Sequence, residues 1–341
     1  MPEISVIIPA YNAERTIAET VQSVLNQTFV DFELIIVNDG STDGTATAIE
    51  QFCDARIRFL SFENAGVSVA RNRGIASATG RFIAFLDADD LWTPEKLASQ
   101  HASLETNPEA GVAYSWNTFI DERGNSLGRQ NPVYFEGNVY SELLVCDFLV
   151  CGSTILVRRE AIADAGEFDP ELINYQTIDY WRRLARQWSF VLVPEYQIVR
   201  RVVSGSHSSN LERHEKFMML AIDKSFRDAP DELQHLKNKS KGFHYQHLAH
   251  KFLERKQDRN GIHLAGQKLW AAIEHYPPLL LNRNMQRTLR NWMLLTLFRP
   301  KTFRLMSQIY HRAKLAKVSR STHNNKSEKS IDDVAKLSEN F

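Results

Sequence analysis

The chain has 341 residues, 43% hydrophobic and 24% charged, a globular composition on the scale of about two domains. That excludes a wholly disordered chain, a collagen-like chain and a disulfide-dense mini-protein. The net charge is zero, 41 Lys and Arg against 41 Asp and Glu, which argues against a uniformly basic nucleic-acid binder.

Taken in chain order, the first 90 residues alternate two periods. Ile4 to Ile8 is a short β-rich run ending at Pro9. Ile17, Val21, Val24 and Leu25 then share one face of a predicted helix over 14–27. Phe32 to Val37 is a second β run, stopped by Asn38-Asp39-Gly40, and Ser41 or Thr42 is placed to cap a helix over 43–53. Ile57 to Phe62 is a third run, residues 66–78 read as helix, and Arg81 to Leu86 is a fourth run that closes on Asp87-Ala88-Asp89-Asp90. This β-α-β-α-β-α-β order predicts an α/β fold with a mostly parallel sheet flanked by helices. In such sheets ligands bind at the carboxyl ends of the strands. The polar residues Asn12, Asp39 and Asp87 to Asp90 fall there. Further on, the pattern predicts a helix over 94–107, a strand over Gly111 to Ile120, a helix over 138–146 and a strand over Ser153 to Val157. A helix over 177–187 and strands at Phe190 to Val193 and Ile198 to Val203 follow. From 212 onward β patterns almost vanish, and residues 212–315 read as helical with breaks at Pro277-Pro278 and Pro300.

Asp87-Ala88-Asp89-Asp90 packs three carboxylates directly after an apolar strand. Such a cluster is costly without a cation, and hard oxygen ligands suit Mg²⁺ or Mn²⁺. A solvated acidic loop with Asp90 capping a helix is the structural alternative. Val37-Asn38-Asp39-Gly40-Ser41-Thr42-Asp43 serves as a turn and cap, and an Asp there can also accept hydrogen bonds from a base or ribose. Arg71, inside a helical pattern, suits either the surface or a phosphate. The chain has no GxGxxG, GxxxxGK, GxSxG or HExxH pattern. Tyr114 and Trp116 are candidates for stacking on a sugar face or for ordinary core. Three cysteines, Cys53, Cys146 and Cys151, lack the spacing of a disulfide framework or zinc site, so a reducing, cytoplasmic location is expected.

Four motifs in order carry a resemblance. They are Ser5-Val6-Ile7-Ile8-Pro9-Ala10-Tyr11-Asn12, Val37 to Asp43, Asn64-Ala65-Gly66 with Ala70-Arg71-Asn72-Arg73-Gly74, and Phe85-Leu86-Asp87-Ala88-Asp89-Asp90. Together they resemble family 2 glycosyltransferases, continuously over 4–97 and more thinly to about 210. The resemblance implies a GT-A, Rossmann-like fold and an inverting, metal-dependent hexosyltransferase-like enzyme using a nucleotide sugar, UDP-linked in many members. It implies that Pro9, Ala10 and Tyr11 line the nucleobase and that Asp39 hydrogen-bonds uracil. Arg71 would support the nucleotide pocket, Asp87 lie on the ribose side, and Asp89 bind Mg²⁺ or Mn²⁺ on the diphosphate. The family's G-F-D and E-D-x-D-x-W-x-R-L region aligns with Gly166-Glu167-Phe168-Asp169 and Gln176 to Leu184. Here Thr177 stands at the base position, so the catalytic base falls to Asp179, whose other reading is a helix N-terminal cap. Two residues along a helix point about 200° apart, so only a local loop would let Asp179 replace the missing group. The family's R-x-H region matches at Arg201 but meets Val203 in place of His, leaving His207 as a metal ligand or a loop histidine.

Two functions follow. One is a glycosyltransferase acting on a hydroxyl of a glycan, lipid-linked or polysaccharide acceptor of the cell envelope. The other is a GT-A-like module that binds a nucleotide sugar and transfers weakly or not at all, as a partner or regulatory subunit. The expected organisation is a catalytic domain over 1–210, a basic helical extension over 211–318 and a disordered tail over 319–341. The neutral total is a sum of opposites. Residues 1–230 hold 20 basic and 32 acidic side chains, and residues 231–320 hold 18 and 5. In residues 283–317 apolar side chains interleave with Arg and Lys, a pattern that suits either a packed helical cap or peripheral contact with an anionic membrane face. No nucleic-acid motif occurs, and no stretch reaches the about 18 apolar residues of a membrane span.

Overall fold

The computed structural model describes residues 1–202, 211–255 and 258–297. They divide into two compact units, one ending at Leu236 and the other beginning at Lys237. In the first unit the chain runs β1 (Ile4–Ala10), α1 (Ile17–Leu25), β2 (Phe32–Asp39), α2 (Thr45–Glu50), β3 (Ile57–Phe62), α3 (Val67–Ser77) and β4 (Phe82–Phe85). It continues through β5 (Leu91–Trp92), α4 (Lys96–Thr106), β6 (Ala110–Ile120), β7 (Ser126–Arg129) and α5 (Tyr140–Val145). Then come β8 (Ile155–Arg158), α6 (Arg159–Ala165), α7 (Gln176–Ala185), β9 (Ser189–Arg201) and α8 (Leu211–Arg227).

One nine-stranded sheet runs in the order β3-β2-β1-β4-β8-β6-β9-β5, with β7 added to β6. The first four strands are parallel, as their continuous apolar runs predict. Beyond β4 the sheet is mixed: β8 is antiparallel to β4 and β6, while β9 runs parallel to β6. Every residue of β1 and β2 is buried, because helices cover both faces. Ile17, Val21 and Val24 of α1 join the core formed by Ile4, Val6, Ile8, Leu34 and Ile36. On α3, Gly74 permits close approach to the sheet: a Cβ there would lie 2.4 Å from Cγ2 of Ile7.

Three expectations change. The two runs near 190–203 are one strand, β9, carried past exposed Pro194 and Glu195 by register irregularities against β6. Tyr114 and Trp116 are buried, with their polar atoms donating to the carbonyls of Phe135 and Val133, so they are core and not a sugar platform. The first unit also extends beyond residue 210, because α8 packs into it: Arg182 of α7 donates to Ser225 Oγ at 3.1 Å.

The second unit contains α9 (Leu236–Arg255), α10 (Arg259–His275) and α11 (Arg283–Leu297). Asp258 caps α10 by accepting from the Gly261 amide at 2.7 Å. Pro277-Pro278 opens a short 3₁₀ turn. Ala249, Leu269, Ala272, Leu279 and Met285 form its core. No helix among the described residues is long and apolar enough to cross a membrane. The tail over 319–341 and most of the amphipathic segment over 283–317 lie outside the described residues.

Candidate active site

The carboxyl ends of β1, β2 and β4 meet at one edge of the parallel half-sheet. Pro9 and Ala10 end β1 as buried residues, and Tyr11 follows them exposed. Asn12 takes a left-handed conformation, φ 49°. Its side chain accepts from the Thr42 amide at 2.8 Å, and its own amide donates to Ser41 Oγ at 3.0 Å. Ser41 and Thr42 thus brace the two loops against each other, while Asp43 accepts the Thr45 amide at the start of α2.

Asp39 is buried, and both its oxygens are engaged. They accept the amides of Ala65 at 3.0 Å and Gly66 at 2.8 Å, and the Arg73 guanidinium at 3.2 Å. The carboxylate is therefore held in one orientation, and Arg73 is a partner that the motif alone did not single out. Three consecutive residues of α3 reach three separate motifs. Arg71 donates to Asp87 Oδ1 at 2.6 Å, Asn72 exchanges hydrogen bonds with the backbone of Phe168, and Arg73 holds Asp39. Arg71 also lies 5.2 Å from the centre of the Phe168 ring, which stacks on Tyr180 at 3.9 Å.

After β4 the acidic residues separate into distinct roles. Asp87 pairs with Arg71. Asp90 is buried, accepting Ser153 Oγ at 2.7 Å and the Arg201 amide at 3.2 Å. Ser153 Oγ in turn accepts the Asp87 amide at 3.1 Å. Asp89 has no side-chain hydrogen-bond or ion-pair partner among the described residues, although the charges of Arg200 and Arg201 act on it. Burial and the neighbouring carboxylates push both Asp89 and Asp90 above the ordinary carboxylate range. A partly buried carboxylate so raised, beside other carboxylates, is a hard oxygen donor that would suit Mg²⁺ or Mn²⁺. Gly152 leaves room beside the Arg71–Asp87 pair, where a Cβ would lie 3.1 Å from Arg71 Nη2. Gly152, Ser153 and Arg200 come from segments without a motif, so only the folded contacts reveal them. His207 lies outside the described residues.

The acceptor side requires a correction. Thr177, at the start of α7, accepts from Arg71 Nη1 at 3.4 Å and so faces the Arg71–Asp87 pair. Asp179 points elsewhere. It is buried and paired with Arg183 Nε at 3.0 Å and Lys224 Nζ at 3.3 Å, and Lys224 also holds Asp169 at 2.5 Å. No local loop intervenes, since both residues lie within regular α7, and their spacing puts them on opposite sides of the helix. Asp179 fastens α7 to α8, and its carboxylate is taken up by Arg183 and Lys224.

Residues 5–166 match the model of glycosyl transferase family 2. The chain is 32% identical over 207 residues to the uncharacterized glycosyltransferase MJ1057 of Methanocaldococcus jannaschii, covering 59% of this chain and 71% of that protein. It is 45% identical over 125 residues to the Escherichia coli UDP-Glc:alpha-D-GlcNAc-diphosphoundecaprenol beta-1,3-glucosyltransferase WfgD, covering 36% of this chain and 48% of that one. Among solved structures it is similar to S. aureus TarS 1-349 in complex with UDP-GlcNAc, with a TM-score of 0.60 and 20% identity over 86% of this chain and 90% of that chain. It also resembles mannosyltransferase PcManGT from Pyrobaculum calidifontis in complex with GDP-Man and Mn2+, with a TM-score of 0.57 and 19% identity over 95% and 88% of the two chains. The fold and the strand-end site thus define a GT-A glycosyltransferase. The chain belongs to glycosyltransferase family 2.

Proposed function

We propose that this glycosyltransferase takes a hexose from a UDP-sugar and transfers it, with inversion, to a hydroxyl of a glycan or lipid-linked acceptor in cell-envelope polysaccharide synthesis. The observation that carries the reading is the convergence of an oriented Asp39, an Arg71–Asp87 pair and an Asp89 that no other side chain bonds among the described residues, at adjoining strand ends. Asp39 and the Pro9-Ala10-Tyr11 loop hold the base, and Asp87 holds the ribose. Asp89 is the ligand for Mg²⁺ or Mn²⁺, with His207 as a further candidate. Such an ion, when bound, stabilises the charge that develops on the leaving diphosphate. The E. coli relative supports a UDP-linked donor and a lipid-linked acceptor, and the manganese-bound neighbour supports metal use.

A competing reading, a nucleotide-sugar-binding module with weak or no transfer, draws on Thr177 at the base position and on the locked Asp179. Calorimetry and turnover separate the two. Purified chain with Mn²⁺ should bind UDP, and Asp89→Ala should abolish the metal-dependent part. Wild type that binds no nucleoside diphosphate refutes the donor assignment. Binding without UDP release across a sugar panel favours the module.

For location, we propose a cytoplasmic protein on the inner membrane face. Residues 237–297 hold 11 Lys and Arg against 3 Asp and Glu, and Trp270, Leu281 and Leu297 are exposed there, a combination suited to an anionic lipid surface. Equal flotation on anionic vesicles of the full chain and of one lacking residues 283–341 would remove the proposed role of that segment. A nucleic-acid partner is not part of the reading.

A further inference from the structure

We infer that Ser153 is a positioning residue for the turn Asp87–Asp90, and that through this turn it sets how Asp89 is offered to a divalent cation. The inference rests on the metal-assisted donor binding proposed above. Its starting point is a contrast within four residues. The backbone of the turn is tied at each residue, while the Asp89 carboxylate has no side-chain partner among the described residues.

The Asp90 amide donates to the Asp87 carbonyl at 3.0 Å, which closes the turn. Thr16, just ahead of α1, and Thr20, within it, donate to the Ala88 carbonyl at 2.8 and 3.0 Å. Thr20 also donates to the Asp90 carbonyl at 2.9 Å, and Arg201 Nε donates to the Asp89 carbonyl at 3.3 Å. The Asp87 amide and the Asp90 carboxylate, at the two ends of the turn, share one hydroxyl. Ser153 Oγ accepts the first at 3.1 Å and donates to Oδ2 of the second at 2.7 Å.

That hydroxyl is itself held in place. Ser153 lies fully buried in a 3₁₀ turn, Gly152–Thr154, that leads into β8. Three consecutive carbonyls from this segment are received by three buried donors. Trp92 Nε1 donates to the Ser153 carbonyl at 2.8 Å, Gln100 Nε2 to the Thr154 carbonyl at 2.8 Å and Lys96 Nζ to the Ile155 carbonyl at 3.0 Å. Lys96 and Gln100 are one turn apart on α4 and so share a face. Lys96 Nζ also lies 3.9 Å from the centre of the Trp92 ring, which joins the three donors into one buried stripe. The stripe fixes the backbone of Ser153, and Ser153 fixes both ends of the acidic turn.

Removing the hydroxyl would leave the buried Asp90 Oδ2 without its donor and the Asp87 amide without its acceptor. Such orphaned groups are costly, so the turn relaxes to find other partners. Asp89, between the two released ends, then loses its fixed direction. Groups that brace a metal ligand from behind typically alter metal affinity 10- to 100-fold. The Asp39 carboxylate is held separately by Ala65, Gly66 and Arg73, so the effect is confined to the metal-dependent part of nucleotide binding.

Calorimetry on the full chain tests this with UDP and Mn²⁺, measuring the Mn²⁺ concentration that half-saturates the enhancement of UDP binding. Ser153→Ala should raise that concentration about 10- to 100-fold. Ser5→Ala is the control for general loosening. Ser5 lies near the opposite end of β1, where its hydroxyl donates to Glu33 at 2.8 Å and accepts the Gly80 amide at 2.8 Å. That variant should lose stability and keep the wild-type Mn²⁺ midpoint; an equal shift in both variants overturns the inference. Trp92→Phe keeps an aromatic ring and loses the donor to the Ser153 carbonyl. It should shift the midpoint in the same direction by less, and it carries the test should Ser153→Ala not fold, a wild-type midpoint then being the refuting result. Wild type whose UDP binding ignores Mn²⁺ refutes the metal reading and this inference with it. Metal-enhanced binding in wild type that Ser153→Ala matches refutes the role of Ser153 alone.

Discussion

Glu33 gives the fold a measurable acid sensitivity. It lies on β2, buried, and accepts four hydrogen bonds: Ser5 Oγ at 2.8 Å, the Thr79 amide at 2.7 Å, Thr79 Oγ1 at 2.6 Å and Arg58 Nη1 at 2.7 Å. Burial pushes its carboxyl upward, but the bonds from Thr79, Arg58 and Ser5 outweigh it and bring the pKa from 4.5 down to about 2. A carboxyl depressed in the folded state contributes stability that is full above the unfolded value and is lost as pH falls through the folded one. The window therefore runs from about pH 4.5 to about pH 2. Its full depth is about 3 kcal/mol, of which about 2 kcal/mol is gone by pH 3. Urea unfolding at pH 7 and pH 3 measures this directly. Glu33→Gln should be less stable than wild type at pH 7 and should lose about 2 kcal/mol less on going to pH 3. An identical acid loss in both proteins would show that the Thr79–Arg58–Ser5 cradle does not hold a charged carboxylate.

Two other substitutions probe the frame of the site. Gly74→Ala places a methyl 2.4 Å from Ile7 Cγ2, and should lower stability by about 1–3 kcal/mol. A melting temperature equal to wild type would mean that α3 moves freely off the sheet. Asp179→Asn should cost about 1–3 kcal/mol by removing the charge that pairs with Arg183 and Lys224. UDP release by that variant should stay within a few-fold of wild type, and a 100-fold loss of kcat with unchanged stability would return Asp179 to the chemistry.

The parallel half of the sheet was legible because its strands are uninterrupted apolar runs, each closed by a polar turn. Ile4 to Ile8 and Phe32 to Val37 need no partner to be recognised, since burial on both faces leaves no alternation to misread. The later half was less legible. Pro194 and Glu195 look like a break, yet β6 carries β9 across them. Seven-residue α6 and two-residue β5 are too short to show a period.

The sequence by itself determined the family, through four motifs whose order and spacing a one-dimensional string preserves. It also showed that Thr177 cannot supply a carboxylate. Tertiary structure alone decided what each charged residue does. Lys224 reaches Asp179 from 45 residues away, Ser153 reaches Asp90 from 63, and Arg201 reaches it from 111. A carboxylate's role depends on which cations and donors surround it, because desolvation and neighbouring charge set its proton affinity and its orientation. Those neighbours are assembled by the sheet order β4-β8-β6-β9, in which strands distant along the chain lie side by side.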